Sequence, residues 1–227
     1  MADGTGKRGT SLTDSAYGIL RQRIITGDLP PGAEVSELEL ADQLSMSKTP
    51  VREALARLGL EGMVEAFPRR GYRVKAVTVK DMNDLFAVRS MLEGTAGAMA
   101  ALNLSEAELD RLDALADASY EMDERMSVEA FIGVNEDFHS AIARGSGNPR
   151  LAALVVSHLE ECARFFYMGA QVRDVNPETN TDHHRIVAVL RGRDAEEARR
   201  VMIEHNENTR RGLLQALIAK SEAGLQF

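Results

Sequence analysis

The sequence has a single cysteine, Cys162, among 227 residues. One thiol cannot form a disulfide framework within a chain, nor a zinc or iron–sulfur site built on several thiolates. Long apolar runs are missing as well: none approaches the roughly 20 residues that a membrane-spanning helix needs. The N-terminus, residues 1–10, is small and polar, lacks the apolar core of a signal peptide and reads as disordered. These absences lead to the expectation of a cytoplasmic protein with no membrane partner. Positive charge is also in deficit. With 27 Lys+Arg against 35 Asp+Glu the formal net charge is −8, which as a mean speaks against binding nucleic acid.

The mean conceals a division. Residues 1–77 hold 11 Lys+Arg and 10 Asp+Glu, whereas residues 78–227 hold 16 and 25. All five histidines, His139, His158, His183, His184 and His205, fall in the second part. Such asymmetry points to two domains with different partners, 11–77 and 78–227. The chain contains no internal repeat and no low-complexity tract.

The first part is made of short, closely punctuated elements. Ala16, Leu20 and Ile24 share one helical face. Gly27 to Gly32, with two prolines, then stops any helix. Ser36 and Glu39 have the spacing of a capping box, so a helix starts near Glu37 with Leu40, Ala41 and Leu44 as its apolar stripe. After a three-residue break at Ser45-Met46-Ser47, Val51, Ala54, Leu55 and Leu58 mark a second helix that Gly62 closes. Two strands are expected, Met63 to Phe67 and Tyr72 to Val77, around the turn Pro68-Arg69-Arg70-Gly71.

The second part reads as helical almost throughout: from Thr78 to about Leu102, from Ser105 to about Arg125, from Ser127 to Gly145, through the stripe of Leu151 to Phe166, from about Pro177 to Leu190, and from Asp194 to Ile218. The fold class is therefore mainly α. An N-terminal winged helix-turn-helix precedes a C-terminal antiparallel all-helical bundle of about six helices.

Two short helices joined by a tight turn and followed by a hairpin can place the second helix in a DNA major groove. That helix opens with Ser47, Lys48 and Thr49, and Arg52 lies one turn beyond Lys48 on the same face. Its N-terminal amides form an anion site for a phosphate. The hairpin tip adds Arg69, Arg70 and Gly71, and residues 48–75 carry 7 Lys+Arg against 3 Asp+Glu. A local patch of this kind attracts phosphates despite an acidic total. The plain alternative is a solvated charged face.

Residues 17–77 resemble the DNA-binding domain of the GntR family of bacterial transcription regulators. The resemblance rests on Ile24-Ile-Thr-Gly27-Asp-Leu-Pro-Pro-Gly32, Leu40-Ala-Asp-Gln-Leu44, Ser47-Lys-Thr-Pro-Val-Arg-Glu-Ala-Leu55, Leu58, Glu61-Gly-Met-Val64 and Arg70-Gly-Tyr-Arg-Val74. It implies that Ser47, Lys48, Thr49 and Arg52 contact the groove and that Arg70 and Gly71 form the wing tip. Lys48 stands where arginine is usual, which weakens bidentate reading of guanine. Leu38 stands where a DNA-contacting arginine is common, so one contact is lost.

In the second part, Asn135 and His139 share one face of a helix, while His183 and His205 lie on two later helices. Three imidazoles and an amide oxygen from three helices can converge on a divalent cation, with zinc, nickel, copper and iron all suited to imidazole and zinc or nickel foremost. Taken alone, scattered histidines are more often hydrogen-bonded core or surface residues than a ligand set. Residues 80–220 resemble the all-helical FCD-type effector domain of the FadR subgroup. The residues that carry it are Arg89-Ser-Met-Leu-Glu93, Asn135-Glu-Asp-Phe-His139, Ser146-Gly-Asn148, His183-His-Arg-Ile186, Gly192-Arg-Asp194 and His205. The resemblance implies a metal held by Asn135, His139, His183 and His205. His184 then points about 100° round the helix, either behind the ligands or toward solvent. His158, on an apolar stripe, is expected in the core or at a cavity wall. With four neutral ligands the site is expected to keep the full +2 of its metal and so to attract an anionic ligand. Arg89 either forks onto a carboxylate ligand or pairs with Glu93 one turn on.

A three-histidine metal-dependent enzyme acting on a small carboxylate is the competing reading, and a structural zinc module a third. The sequence offers no recognisable base near the ligands except Glu136 or Asp137, and these diverge from the ligand face. No nucleophile elbow, phosphate loop or dinucleotide fingerprint is present. The helix-turn-helix favours a ligand-responsive repressor of a catabolic operon. Its expected partners are palindromic operator DNA, a small organic-acid effector and a second copy of the chain.

Overall fold

The computed structural model describes residues 11–68, 70–119, 125–170, 172, 174 and 176–222. The expectations for residues 1–10 and for Arg69 lie outside these. The chain divides into two compact units after Ala76.

The first unit contains α1 (Leu12–Ile25), β1 (Glu34–Val35), α2 (Glu37–Leu44), α3 (Lys48–Leu60), β2 (Val64–Phe67) and β3 (Gly71–Val74). Ser11 caps α1 by accepting from the Asp14 amide, and Ser36 caps α2 by accepting from the Leu38 amide. Ser45, at φ 52, ends α2 in the left-handed region and turns the chain toward α3. Ala16, Leu20 and Ile24 of α1 pack with Val51, Ala54, Leu55 and Leu58 of α3 and with Leu40 of α2 in one core. Their spacing puts the apolar side chains on the inner faces, so the polar residues of α3 are left outside.

The hairpin is shorter than its sequence pattern suggests, and it has an extra partner. β2 pairs with β3 from Val64↔Val74 to Phe67↔Gly71, and β1 adds to the far edge of β3 through Val35↔Tyr72. A strand of two residues carries no periodicity, so β1 is invisible in sequence. Gly71 has φ +103, and a Cβ there would run into the Val35 carbonyl oxygen. The glycine is thus required by the closing of β3 onto β1.

The second unit contains six helices among the described residues: α4 (Val79–Asn103), α5 (Glu106–Ala116), α6 (Arg125–Gly145), α7 (Pro149–Ala170), α8 (Asn176–Arg191) and α9 (Ala195–Glu222). α5 ends well before Arg125, because its apolar stripe of Leu109, Leu112 and Ala116 runs out there; Arg125 belongs to α6. The expected capping box of Ser105 and Glu108 is present. At Asp194 the carboxylate accepts from the Glu197 amide and starts α9. Gly94 and Gly97 of α4 let Ile203 and Met202 of α9 approach where a Cβ would collide. That close approach seats His205, one turn further along α9, in the interior. No helix among the described residues is long and apolar enough to cross a membrane.

Candidate metal centre and nucleic-acid interface

His139 on α6, His183 on α8 and His205 on α9 converge. Each is buried, and one candidate ligand atom from each lies within 4.8 Å of the others. The rings of His139 and His205 stack with centroids 5.2 Å apart, and His183 lies 5.3 Å from His139 and 5.0 Å from His205. Phe138, fully buried, stacks on the His183 ring at 4.0 Å and holds its orientation.

Burial pushes the His139 imidazolium pKa down against the opposing pull of Glu93. It pushes His183 well down, with His205 and His139 adding to the effect. Both rings are therefore neutral near pH 7, the form that binds metals. His139 Nε2 and His183 Nε2 are buried without a hydrogen-bond partner. Buried polar nitrogens in that state are costly unless something engages them. A divalent transition metal fits both the donor set and the unmet nitrogens.

Asn135 is buried one turn before His139, with Nδ2 unpartnered. It lines a cavity of about 600 Å³ together with Phe131, Phe166, Asp182, His205 and Arg211. That volume suits a small molecule.

Both expectations for Arg89 have a counterpart in the geometry. The side chain is 1% exposed, and Nε donates to Glu93 Oε1 at 2.7 Å. Its Nη1 and Nη2 are buried without hydrogen-bond partners, and the guanidinium lies 5.7 Å from the Phe166 ring at the cavity wall. Cys162 is buried beside it, and burial pushes the thiol up to about 11, as suits an inert sulfur. Burial alone would raise the Glu93 carboxyl. The Arg89 guanidinium, followed by His139, instead holds it well below the usual carboxylate range.

The expectation of an undiminished +2 counts only the ligands, and two carboxylates lie beside them. Glu93 Oε2 lies 2.6 Å from His139 Nδ1, although the two are not aligned as a hydrogen bond. Asp182 Oδ2 lies 3.2 Å from His205 Nδ1 and also accepts from Asn208 Nδ2 at 3.3 Å. Two carboxylates therefore stand directly behind two of the histidines. Glu136 and Asp137 are the only acids considered near the ligands from the sequence; Glu93 and Asp182 arrive from α4 and α8. Asp182 directly precedes His183, but nothing in the sequence indicates that it faces His205.

His184 is exposed and sits 2.9 Å from Asp117 Oδ1, pointing away from the cluster as expected. His158 is neither core nor cavity wall. It is half-buried at the edge of the α7 stripe, with Nδ1 2.7 Å from the Leu154 carbonyl oxygen. Sequence reasoning also missed Asn206, fully buried beside His205 with both amide atoms unpartnered.

In the first unit, Ser47, Lys48, Thr49 and Arg52 are all exposed at the start of α3. Lys48 and Arg52 engage no carboxylate among the described residues. Ser47 makes no side-chain cap, which leaves the first amides of α3 open. Arg70, by contrast, is held at the wing by Glu34 at 3.2 Å, and Arg73 stacks on Phe67 at 3.8 Å. Leu38 is exposed on α2.

Comparison with known proteins bears on both units. Residues 12–74 match the model of bacterial regulatory proteins of the gntR family, and residues 84–208 match the FCD domain. The chain is 31% identical to the HTH-type transcriptional regulator McbR of Escherichia coli, over 88% of this chain and 92% of that one. It is also 31% identical to a Paenarthrobacter nicotinovorans protein described as a probable D-xylose utilization operon transcriptional repressor, over 89% and 90% of the two chains. The solved structure of E. coli McbR/YncC superposes with a TM-score of 0.73 at 27% identity, covering 91% of this chain and 99% of that one. These relatives are transcription regulators and not enzymes. A winged helix-turn-helix followed by a six-helix unit with these matches places the chain in the GntR family of bacterial regulatory proteins, with the architecture of the FadR subgroup.

Proposed function

We propose that the protein is a metal-dependent, ligand-responsive repressor of a catabolic operon, released from palindromic operator DNA by a small carboxylate metabolite. The observation that carries this reading is the buried histidine cluster beside a cavity whose Phe166 ring lies 5.7 Å from a buried arginine with two unpartnered nitrogens. His139, His183, His205 and Asn135 would hold zinc or nickel, and the metal would supply positive charge and open coordination positions for an anionic group. Arg89 Nη1 and Nη2 present the parallel donors that a carboxylate accepts. Binding there shifts the population between DNA-competent and incompetent states of the cytoplasmic regulator.

On the DNA side, Lys48, Thr49 and Arg52 read base edges or phosphates. Ser47 and the open α3 amides bind a phosphate, and Arg70 with Gly71 serves the wing. A homodimer matches a two-fold operator. Exposed Met91 and Leu102 on α4 and Leu154 on α7, two helices that pack together, support such an interface.

Selection of bound sequences from a random duplex pool tests the DNA reading. The wild-type chain should enrich a palindrome, and Arg52→Ala should lose it while melting at an unchanged temperature. Enrichment of the same palindrome by Arg52→Ala would refute the assigned helix. Elemental analysis tests the metal: His139→Ala with His205→Ala should remove it, and wild-type protein that holds none after reconstitution would end the metal reading.

A further inference from the structure

Two of the three clustered histidines have a carboxylate at Nδ1, and the carboxylates come from different helices. Glu93 of α4 approaches His139, and Asp182 of α8 approaches His205. An imidazole whose Nδ1 side is taken by an anion keeps its proton there and offers Nε2 as the free lone pair. Such a carboxylate also raises the basicity of that lone pair and fixes the ring against rotation. His183 has a different restraint, the stacked Phe138 ring.

We propose, building on the metal reading above, that Glu93 and Asp182 are positioning residues of the centre. Each holds one histidine with Nε2 toward the metal, and Asp182 adds a negative charge, that of Glu93 being balanced by Arg89, to a ligand set that carries none. Metal affinity then rests on these two residues as well as on the four ligands.

The two differ in one respect. Glu93 is 2% exposed and its other oxygen is committed to Arg89, so its charge is fixed within a buried pair. Asp182 is 21% exposed on the cavity wall and is shared between His205 and Asn208. Asp182 is therefore the one that can be altered with little consequence for folding. Glu93 is tested by Glu93→Asp, which keeps the charge that balances Arg89 but draws the carboxylate back from His139 by one methylene.

The test is zinc affinity of the metal-free full chain, measured by competition with a chromophoric chelator in carboxylate-free buffer. Asp182→Asn and Glu93→Asp, each against wild type, should bind zinc about 10–100-fold more weakly. The visible absorption of the cobalt(II)-substituted forms should shift in the same two comparisons, which a merely structural residue would not cause. Metal-free Asp182→Asn should melt with the wild type. Zinc affinity within twofold in either comparison overturns the assignment of that carboxylate. Wild-type protein without zinc affinity would instead remove the metal reading on which this one rests, so the two failures are distinguishable.

Discussion

The buried Arg89–Glu93 pair allows the sharpest prediction about the helical unit, because removing either partner leaves a different residue stranded. Both side chains are at most 2% exposed, and Arg89 Nε donates to Glu93 Oε1 at 2.7 Å. Breaking a buried pair from one side costs roughly 3–5 kcal/mol. The two single variants should not be equal. With Glu93→Gln, Arg89 cannot give up its proton, and its charge stays buried with its Nη groups already lacking partners. The loss should sit at the upper end, about 4–5 kcal/mol.

With Arg89→Met the stranded carboxyl can take up a proton and become neutral. The variant also removes two buried donors without partners, each of which costs about 1–3 kcal/mol. The net loss should be smaller, about 1–3 kcal/mol. The double variant should be no worse than Arg89→Met, which implies a coupling at least as large as the Glu93→Gln loss, about 4–5 kcal/mol. At about 2–4 °C per kcal/mol for a unit of this size, Glu93→Gln should lower the melting temperature by roughly 10–20 °C and Arg89→Met by about 2–10 °C. Calorimetry of the metal-free chain in a chelating buffer reads these values. The argument is refuted if Arg89→Met costs as much as Glu93→Gln, or if the single losses add to within about 0.5 kcal/mol in the double variant.

Two further outcomes follow from the same structure. Asn135→Asp adds a negative ligand to the centre and should tighten zinc binding while weakening acetate binding to the zinc-loaded protein. Isothermal titration reads both, and tighter acetate binding would contradict the electrostatic account. In the DNA-binding unit, burial first, then the hydrogen bond to Glu61, push the Tyr17 phenol up to about 12. A raised acid pKa contributes stability that is whole below the unfolded value near 10 and is lost as pH rises through the folded value. Wild-type stability should fall between about pH 10 and 12 by a component that Tyr17→Phe lacks. Matching alkaline melting profiles for the two would refute it.

The helix-turn-helix was legible because its signals are local. The Ser36 cap, the left-handed break at Ser45 and the stripe of Val51, Ala54, Leu55 and Leu58 are fixed by neighbours within a turn or two. The β1 strand was not legible, since two residues define no pattern and only the edge of β3 gives them a partner. The end of α5 at Ala116 and the surface position of His158 were misread for a related reason. Both depend on where a stripe stops facing neighbouring helices, and spacing along one helix cannot show that.

Sequence alone determined that any metal here must rest on imidazoles, because a lone cysteine at 162 leaves no thiolate set. It also determined that positive charge gathers in the first 77 residues and histidine in the rest. Charge count and donor type are properties of residues and need no fold. Only the tertiary structure decided which acids stand behind those imidazoles. Glu93 is 46 residues from His139 and Asp182 is 23 from His205, and no periodicity relates positions on different helices. The packing of α4 and α9 through Gly94 and Gly97, with α6 and α8 alongside, brings them together. In a buried site the electrostatics follow distance through space, so the charge felt by a metal there was set by packing and not by the ligand list.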